Sequence, residues 1–403
     1  MKRFRILFPI LIAVTALVAV LFVSMKPTGP TYPLVQALWV TRFDYSTALD
    51  VEQIIENVGQ AGFTDVFFQV RGNGTAYYES KLEPWAHELS GNQLPMLGTN
   101  PGWDPLQLAL DTARPYGLRV HAYINVLPGW KGRIDPPVQA KQLWTAHPDW
   151  FMVDSLGDKM LPSSGWYSFI NPVIPAVRAH LRGIVEELCA YDVAGIHLDY
   201  IRYPYDYQII ADQLYPTATP EELARRSEFS YDAVSQSALY HKYGWEVTKS
   251  QIEEFRRDSI TRVVQDISYA MQSKKPGRCL LSACVMGNPI EGRAHAYQDS
   301  GLWVRKGLVD WAVQMNYATK SFDRYLKNMK KAAGRKPFKK AVIVGIFCKH
   351  DPELILKQID TVNTSGSRGL ALFSYEYLFG TNHQVTEKGR IVLTKIGPIS
   401  HVQ

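Results

Sequence analysis

The sequence predicts an α/β fold, a (β/α)8 barrel of the TIM type with long loops after its second and fourth strands. Three observations carry that expectation. Eight strand-like apolar runs alternate with helical patterns over most of the 403 residues, which is the rhythm of a parallel sheet. No glycine-rich phosphate loop opens a helix, as an open nucleotide-binding sheet would want, although periodicity by itself fits an open sheet too. Polar side chains recur at the C-terminal ends of the runs, where barrel enzymes keep their chemistry.

In chain order, Lys2, Arg3 and Arg5 precede an uncharged apolar run from Ile6 to Val23, about 18 residues and at the border of spanning a bilayer. A basic start followed by an apolar core marks an export signal. Phe22 to Lys26 lacks a small-x-small cleavage pattern, so residues 1–26 are expected to be a signal anchor, with a cleaved signal peptide as the alternative. The remainder is then exported: membrane-anchored on the extracytoplasmic side, or secreted or periplasmic. Residues 27–34 read as a linker and 35–400 as a single barrel domain.

Val35 to Thr41 is the first expected strand. A helix from about Asp50 follows, with Val51, Ile54, Ile55 and Val58 on one face and Gly62 as its stop. Thr64 to Arg71 is the second strand. Trp103 to Tyr116 is a helix with Asp104 as cap, Pro105 in its first turn and Gly117 after its end. Leu118 to Val126 is the third strand. Asn171 as cap and Pro172 at the first position open a helix to Ala190 carrying Val177, Leu181, Ile184, Val185 and Leu188. Val193 to Ile201 is the fourth strand, and a helix spans Gln251 to Met271. Cys279–Met286, Val309–Tyr317, Ala341–Phe347 and Gly369–Tyr375 complete the eight. Gly72 to Asn100 and Tyr205 to Ser250 are insertions after strand ends, where loops build clefts.

The net charge of +6 is mild. A late basic cluster (Lys327, Lys330, Lys331, Arg335, Lys336, Lys339, Lys340) has no interleaved aromatics, so no nucleic-acid partner is expected. Cys189, Cys279, Cys284 and Cys348 lack the close pairs of a zinc site and read as buried free thiols. No metal or cofactor is expected.

The stretch Gly195 to Pro204, G-I-H-L-D-Y-I-R-Y-P, is the most informative. Strand alternation puts His197 and Asp199 on one face. A strand buried on both faces is normally apolar, so an imidazole and a carboxylate there need partners or a task. Gln69, Arg71, His121, Asn125, Gln314, Asn316 and Glu376 also sit near strand ends. Each alone has a structural explanation; together they suggest a site. Trp39, Trp130 and Tyr203 belong to a set of aromatics suited to sugar faces.

The same stretch resembles the signature of the glycosyl hydrolase-like 10 family, which includes bacterial envelope enzymes that cut peptidoglycan glycan strands. The resemblance continues through A-L-W-V-T at Ala37, F-F-Q-V-R at Phe67, W-D-P-L at Trp103, H-A-Y-I-N at His121 and H-P-D-W at His147. It extends to N-P-V-I-P-A-V-R at Asn171, G-L-V-D-W-A-V-Q-M-N-Y at Gly307 and L-F-S-Y-E-Y-L at Leu372. It implies a barrel with glycosidase activity on an envelope or extracellular polysaccharide. Relatives acting on peptidoglycan often carry Asp-Asp where this chain has Asp199-Tyr200, a departure that bears on substrate more than on reaction type.

Glycoside hydrolysis usually needs two carboxyl groups. Asp199 is expected as nucleophile or base, kept ionised by His197 and Arg202, and Glu376 as the acid, with Glu291 and Asp299 behind it. Gln69, Arg71, His121, Asn125, His197, Arg202, Gln314, Asn316, Tyr203, Trp39 and Trp130 are the expected sugar contacts. The competing readings are a glycan-binding barrel without catalysis and a metal-dependent polysaccharide deacetylase.

Overall fold

A computed structural model describes residues 34–396 except 276 and 278; the expected signal segment and nearly all of the linker lie outside the described residues. The strands are β1 (Val35–Val40), β2 (Asp65–Arg71), β3 (Arg119–Asn125), β4 (Pro128–Lys131), β5 (Tyr167–Phe169), β6 (Gly195–Asp199), β7 (Leu280–Met286), β8 (Trp311–Met315), β9 (Val342–Phe347) and β10 (Gly369–Phe373). Eight of them close a parallel barrel in chain order, and β1 pairs with both β2 and β10 to seal it. All eight expected strands are present. β4 and β5 form a separate antiparallel pair in the loop after β3. Sequence periodicity missed this pair because β5 has three residues and β4 contains Pro128 and Gly129.

Alternation sorts every strand into two sets. Val35, Ala37, Trp39, Phe67, Tyr123, Cys284, Trp311, Val313, Ile343 and Ala371 fill the barrel's interior. Leu38, Val66, Phe68, Ile124, Ile196, Leu198 and Val344 face outward into the layer shared with the helices. Helix Ala48–Gln60 buries Val51, Ile54, Ile55 and Val58 there; Thr47 and Asp50 form a capping box, so it starts slightly earlier than its apolar period suggests. Asp104 caps helix Pro105–Ala113 as read from the sequence.

Two boundaries differ from expectation. Asn171 does not cap the helix before β6, which runs Pro175–Leu188 with Pro175 in the first turn. The Asn171 amide instead donates to Asp232 (2.6 Å) and Ser235 (3.0 Å), tying down the insertion after β6. Both Asn171-Pro172 and Ile174-Pro175 look like helix starts, and the first is spent on tertiary contact. β6 itself stops at Asp199 because Tyr200 takes a left-handed φ of 49°.

The insertion after β2 is pinned by a buried ion pair. Arg71 Nε and Nη2 donate to Glu83 Oε2 and Oε1 at 2.8 and 2.6 Å, and Nη1 donates to the Asn125 and Val126 carbonyls. His180 Nε2 adds a contact to Glu83 at 2.9 Å. Burial opposes the Glu83 charge, but Arg71 and His180 outweigh it and lower its pKa from 4.5 to about 2. Removing one partner of such a pair strands the other. Glu83→Gln is therefore expected to lose about 3–5 kcal/mol in denaturant unfolding at neutral pH. Because the folded pKa is depressed, the ionised pair's contribution is complete above pH 4.5 and fades as pH falls towards about 2. The deficit of the variant should shrink over that same window; a variant as stable as the parent at neutral pH would show that the pair does not hold the insertion.

Candidate active site at the barrel mouth

β6 carries Asp199 to the C-terminal end of the barrel, where its side chain keeps 10% of its exposure. Its oxygens are held by three donors. Tyr123 Oη, from β3, donates to Oδ2 at 2.9 Å; the Tyr200 N–H and Arg202 Nη1 donate to Oδ1 at 2.6 and 3.1 Å. The left-handed Tyr200 reverses the chain sharply enough for Arg202, three residues on, to turn back onto the carboxylate. The Tyr200 ring packs edge-on against Trp166, Tyr167 and Phe169, and the Arg202 guanidinium lies 4.3 Å from its centroid. Burial works against the Arg202 charge, but Asp199 and its neighbours more than restore it, so its pKa is raised.

His197 shares Asp199's face, as alternation requires, but lies one layer down, fully buried in the interior. Trp39 Nε1–H donates to His197 Nε2 at 2.9 Å, and Cys284 Sγ lies 3.1 Å from the same nitrogen. The ring proton therefore belongs on Nδ1, 2.8 Å from Ser282 Oγ. Phe67 stacks on the imidazole at 3.9 Å between centroids. Burial, reinforced by His121, holds the His197 pKa well below 6.5. The expectation that His197 helps keep Asp199 ionised is thus corrected: a neutral ring offers no charge, and Arg202 alone of the two faces the carboxylate with one.

Gln69 and Asn125 meet at the mouth, Gln69 Nε2 donating to Asn125 Oδ1 at 3.1 Å. Gln69 Oε1 accepts from the Arg42 N–H at 2.9 Å, and its carbonyl accepts from Tyr45 Oη at 2.6 Å, which fixes the loop after β1. Asn125 is in register with Asp199 on the adjoining strand.

The remaining expected contacts lie elsewhere. Arg71 is spent on Glu83 and two carbonyls. His121 is fully buried low in the barrel, 2.8 Å from Asp65, which also binds Arg119. Gln314 and Asn316 have the outward parity of β8: Gln314 donates to the Gly287 and Tyr325 carbonyls and Asn316 to Phe322. Trp39 is interior packing, Trp130 is buried in β4 with Nε1 on the Ile134 carbonyl, and Tyr203 Oη sits between Ser230 and Ser259. Three of these seven keep an enclosed polar atom without a hydrogen-bond partner: His121 Nδ1, Gln314 Oε1 and Asn316 Oδ1.

Glu376 is on the short helix after β10 and exposed to solvent. Of its understudies, Glu291 is exposed and bound to Asn288, and Asp299 caps helix Ser300–Lys306 and pairs with Arg293 at 3.0 Å. Asp44, in the turn after β1, was not anticipated. Its Oδ2 accepts from the Thr41 N–H (2.6 Å) and hydroxyl (2.9 Å). Burial, with a smaller push from the Glu376 charge, raises its pKa to about 6 despite those bonds. Asp206, after β6, is also raised by burial, against the pull of Arg202. The only sequence signal for either was its position just past a strand's C-terminal end.

An aromatic wall was also missed. Tyr317, just after β8, packs on Phe347 (5.1 Å) and Phe373 (5.7 Å), the last residues of β9 and β10, and Phe347 on Tyr377 (5.7 Å) in the helix after β10, all partly exposed. Among the described residues, no three His, Cys, Asp or Glu side chains are grouped so as to hold a metal ion, as the deacetylase alternative would need.

The closed parallel barrel agrees with what comparison shows, since the model of the glycosyl hydrolase-like 10 family matches residues 35–358. The chain belongs to that family. It is 26% identical over 285 residues to the glycosyl hydrolase DigH of Escherichia coli (strain K12), covering 65% of this chain and 56% of that protein. The chain thus spans about half the length of this glycosyl hydrolase-like relative. Among solved structures, the catalytic domain of β-amylase from Paenibacillus polymyxa aligns with a TM-score of 0.61 and 11% identity over 90% of this chain and 99% of that one. The PgaB (BpsB) glycoside hydrolase domain from Bordetella bronchiseptica aligns with a TM-score of 0.53 and 12% identity over 91% and 99%. At such identities the likeness is one of fold.

The geometry of His197 makes an immediate prediction. Nitrogen NMR of labelled protein should show one neutral tautomer, protonated at Nδ1, unchanged from about pH 5.5 to 8. A titration within that range would contradict the neutral, Trp39-bonded ring.

Proposed function

We propose that this protein hydrolyses glycosidic bonds in a bacterial envelope polysaccharide, with peptidoglycan glycan strands as the first substrate to test. The N-terminal basic–apolar segment would carry the barrel outside the cytoplasm. The observation that carries the reading is Asp199: a nearly buried carboxylate at the C-terminal end of a barrel strand, held by Tyr123, Tyr200 and Arg202. Three donors fix its direction, as a group that must meet an anomeric carbon or a water in one geometry requires. Tyr317, Phe347, Phe373 and Tyr377 offer ring faces for sugars, and Gln69 and Asn125 offer amide groups beside the carboxylate.

A glycosidase also needs an acid that is protonated before the bond breaks. We assign that role to Asp44, whose half-buried carboxyl is held up to about 6. Its Oδ1 remains to carry the proton, because Thr41 occupies Oδ2. Glu376, the acid expected from the sequence, then acts through Asp44: its negative charge disfavours a second one nearby. Asp199 acts as nucleophile or as base towards water, and the proton from Asp44 goes to the leaving oxygen. The competing reading is a barrel that binds glycan without cutting it. It is favoured by one fact: Asp199's oxygens already accept three bonds within the protein.

The test is a pH–rate series on full-length protein. Asp199→Asn should lose glycan cleavage while keeping the native circular dichroism spectrum, with a lowered melting midpoint because the buried Arg202 guanidinium loses its carboxylate. The parent's rate should fall as pH rises through about 6, as Asp44 deprotonates. Asp44→Asn should abolish cleavage of unactivated strands while sparing aryl glycosides with good leaving groups. Glu376→Gln should keep activity but move the alkaline limb to lower pH, because loss of the neighbouring charge lets Asp44 ionise sooner. Full activity in Asp44→Asn together with its loss in Glu376→Gln would return the acid to Glu376. A parent that binds strands and never cuts them would favour the binding module.

A further inference from the structure

The mouth has a second corner that the cleavage chemistry does not use. Arg42, just past β1, retains 3% of its exposure. Its Nη2 donates to Tyr167 Oη at 3.1 Å, while Nε is enclosed without any partner. Arg42 forms no ion pair among the described residues. Glu88, a carboxylate whose charge reaches it, stays beyond ion-pair distance. Burying a guanidinium without a counter-ion is costly. Here aromatic faces offset part of that cost: the Phe43 centroid is 4.3 Å from the guanidinium carbon and that of Tyr167 5.7 Å.

A second cation joins it. Lys131, at the end of β4, has its ammonium 5.5 Å from the Phe43 centroid and 5.7 Å from that of Tyr167, and it has no ion pair among the described residues. Phe43, 66% exposed, thus lies between two positive groups. The corner adjoins the proposed reaction centre, since Tyr167 packs on Tyr200, the residue after Asp199, at 5.3 Å. The backbone is shaped for Arg42: a Cβ at Gly72 would come within 2.6 Å of its Nε.

We propose that Arg42 and Lys131 form an anion subsite, so that the glycan this barrel takes carries a carboxylate on a sugar near the bond at Asp199. This rests on the glycan reading above and narrows it to an acidic saccharide. The carboxylate answers the charges that the protein leaves unpaired, and the exposed Phe43 face packs against the ring or alkyl group that bears it. A neutral glycan would leave both cations unanswered.

The experiment uses full-length protein bearing Asp199→Asn, so that bound strands are not cut. It is titrated with peptide-free peptidoglycan strands and with the same strands after their carboxylates are converted to amides. The acidic strands should bind about tenfold more tightly or better. Adding Lys131→Gln, or Gly72→Ala, which displaces Arg42 without removing its charge, should bring the ratio of the two affinities towards one. Lys131 is partly exposed, so its variant keeps the test valid if Gly72→Ala does not fold. Equal affinity for both strands, or a preference that survives both substitutions, overturns the subsite. Failure to bind either strand overturns it too, while cleavage of a neutral polysaccharide by the parent would leave the glycosidase reading standing.

Discussion

A carboxylate nine-tenths buried at the end of a strand must have its charge answered, and much of the barrel's upper layer is arranged around that need at Asp199. Arg202 supplies the opposite charge but is only three residues away, so the chain must turn back at once. Tyr200 makes the turn in the left-handed region, which is costly for a residue with a large side chain. Its ring is held in compensation by Trp166, Tyr167 and Phe169 from β5 and the residue before it, with Arg202 on its face. The small β4–β5 sheet therefore has a physical reason: it supplies the bed on which the turn after Asp199 rests.

Below this layer the polarity changes abruptly. His197 is two residues before Asp199 on the same face, yet burial and the bonds to Trp39 and Ser282 keep it neutral. Lower still, Asp65 offsets its burial with His121, Arg119 and the Thr64 hydroxyl, which lower its pKa. The barrel thus holds charged groups at both ends, separated by a buried layer of aromatic rings around the neutral His197. Carboxyl groups near the mouth are sorted in the same way: Asp199 is paired with Arg202, while Asp44 has only Thr41 and feels Glu376, so burial dominates there.

The fold was legible because its signals are local: a period of 3.6 in the helices, apolar runs in the strands, glycine and proline between them. The shared face of His197 and Asp199 was legible from alternation alone. Which alternate set of β8 faces inward was not. Closure of the barrel turns Trp311, Val313 and Met315 to the interior, so Gln314 and Asn316 bind the outer layer. Arg71 looked like a ligand because it is one of several polar residues near strand ends; its partner Glu83 lies in an insertion with no periodic structure. Arg42 and Asp44 sit in a loop whose path is set by contacts with Gln69 and Thr41, and nothing in the spacing of T-R-F-D announces them.

The central claim is that water is added across a glycosidic bond at Asp199, and isotopic labelling tests it most directly. Glycan strands incubated with the full-length protein in water enriched in oxygen-18 should yield new reducing ends that carry a single heavy oxygen at the anomeric carbon. Their appearance should depend on the Asp199 carboxylate. Products without the label would mean that the bond is broken by another reaction. Folded protein that binds the strands yet generates no new ends would mean that this barrel holds glycan and does not hydrolyse it.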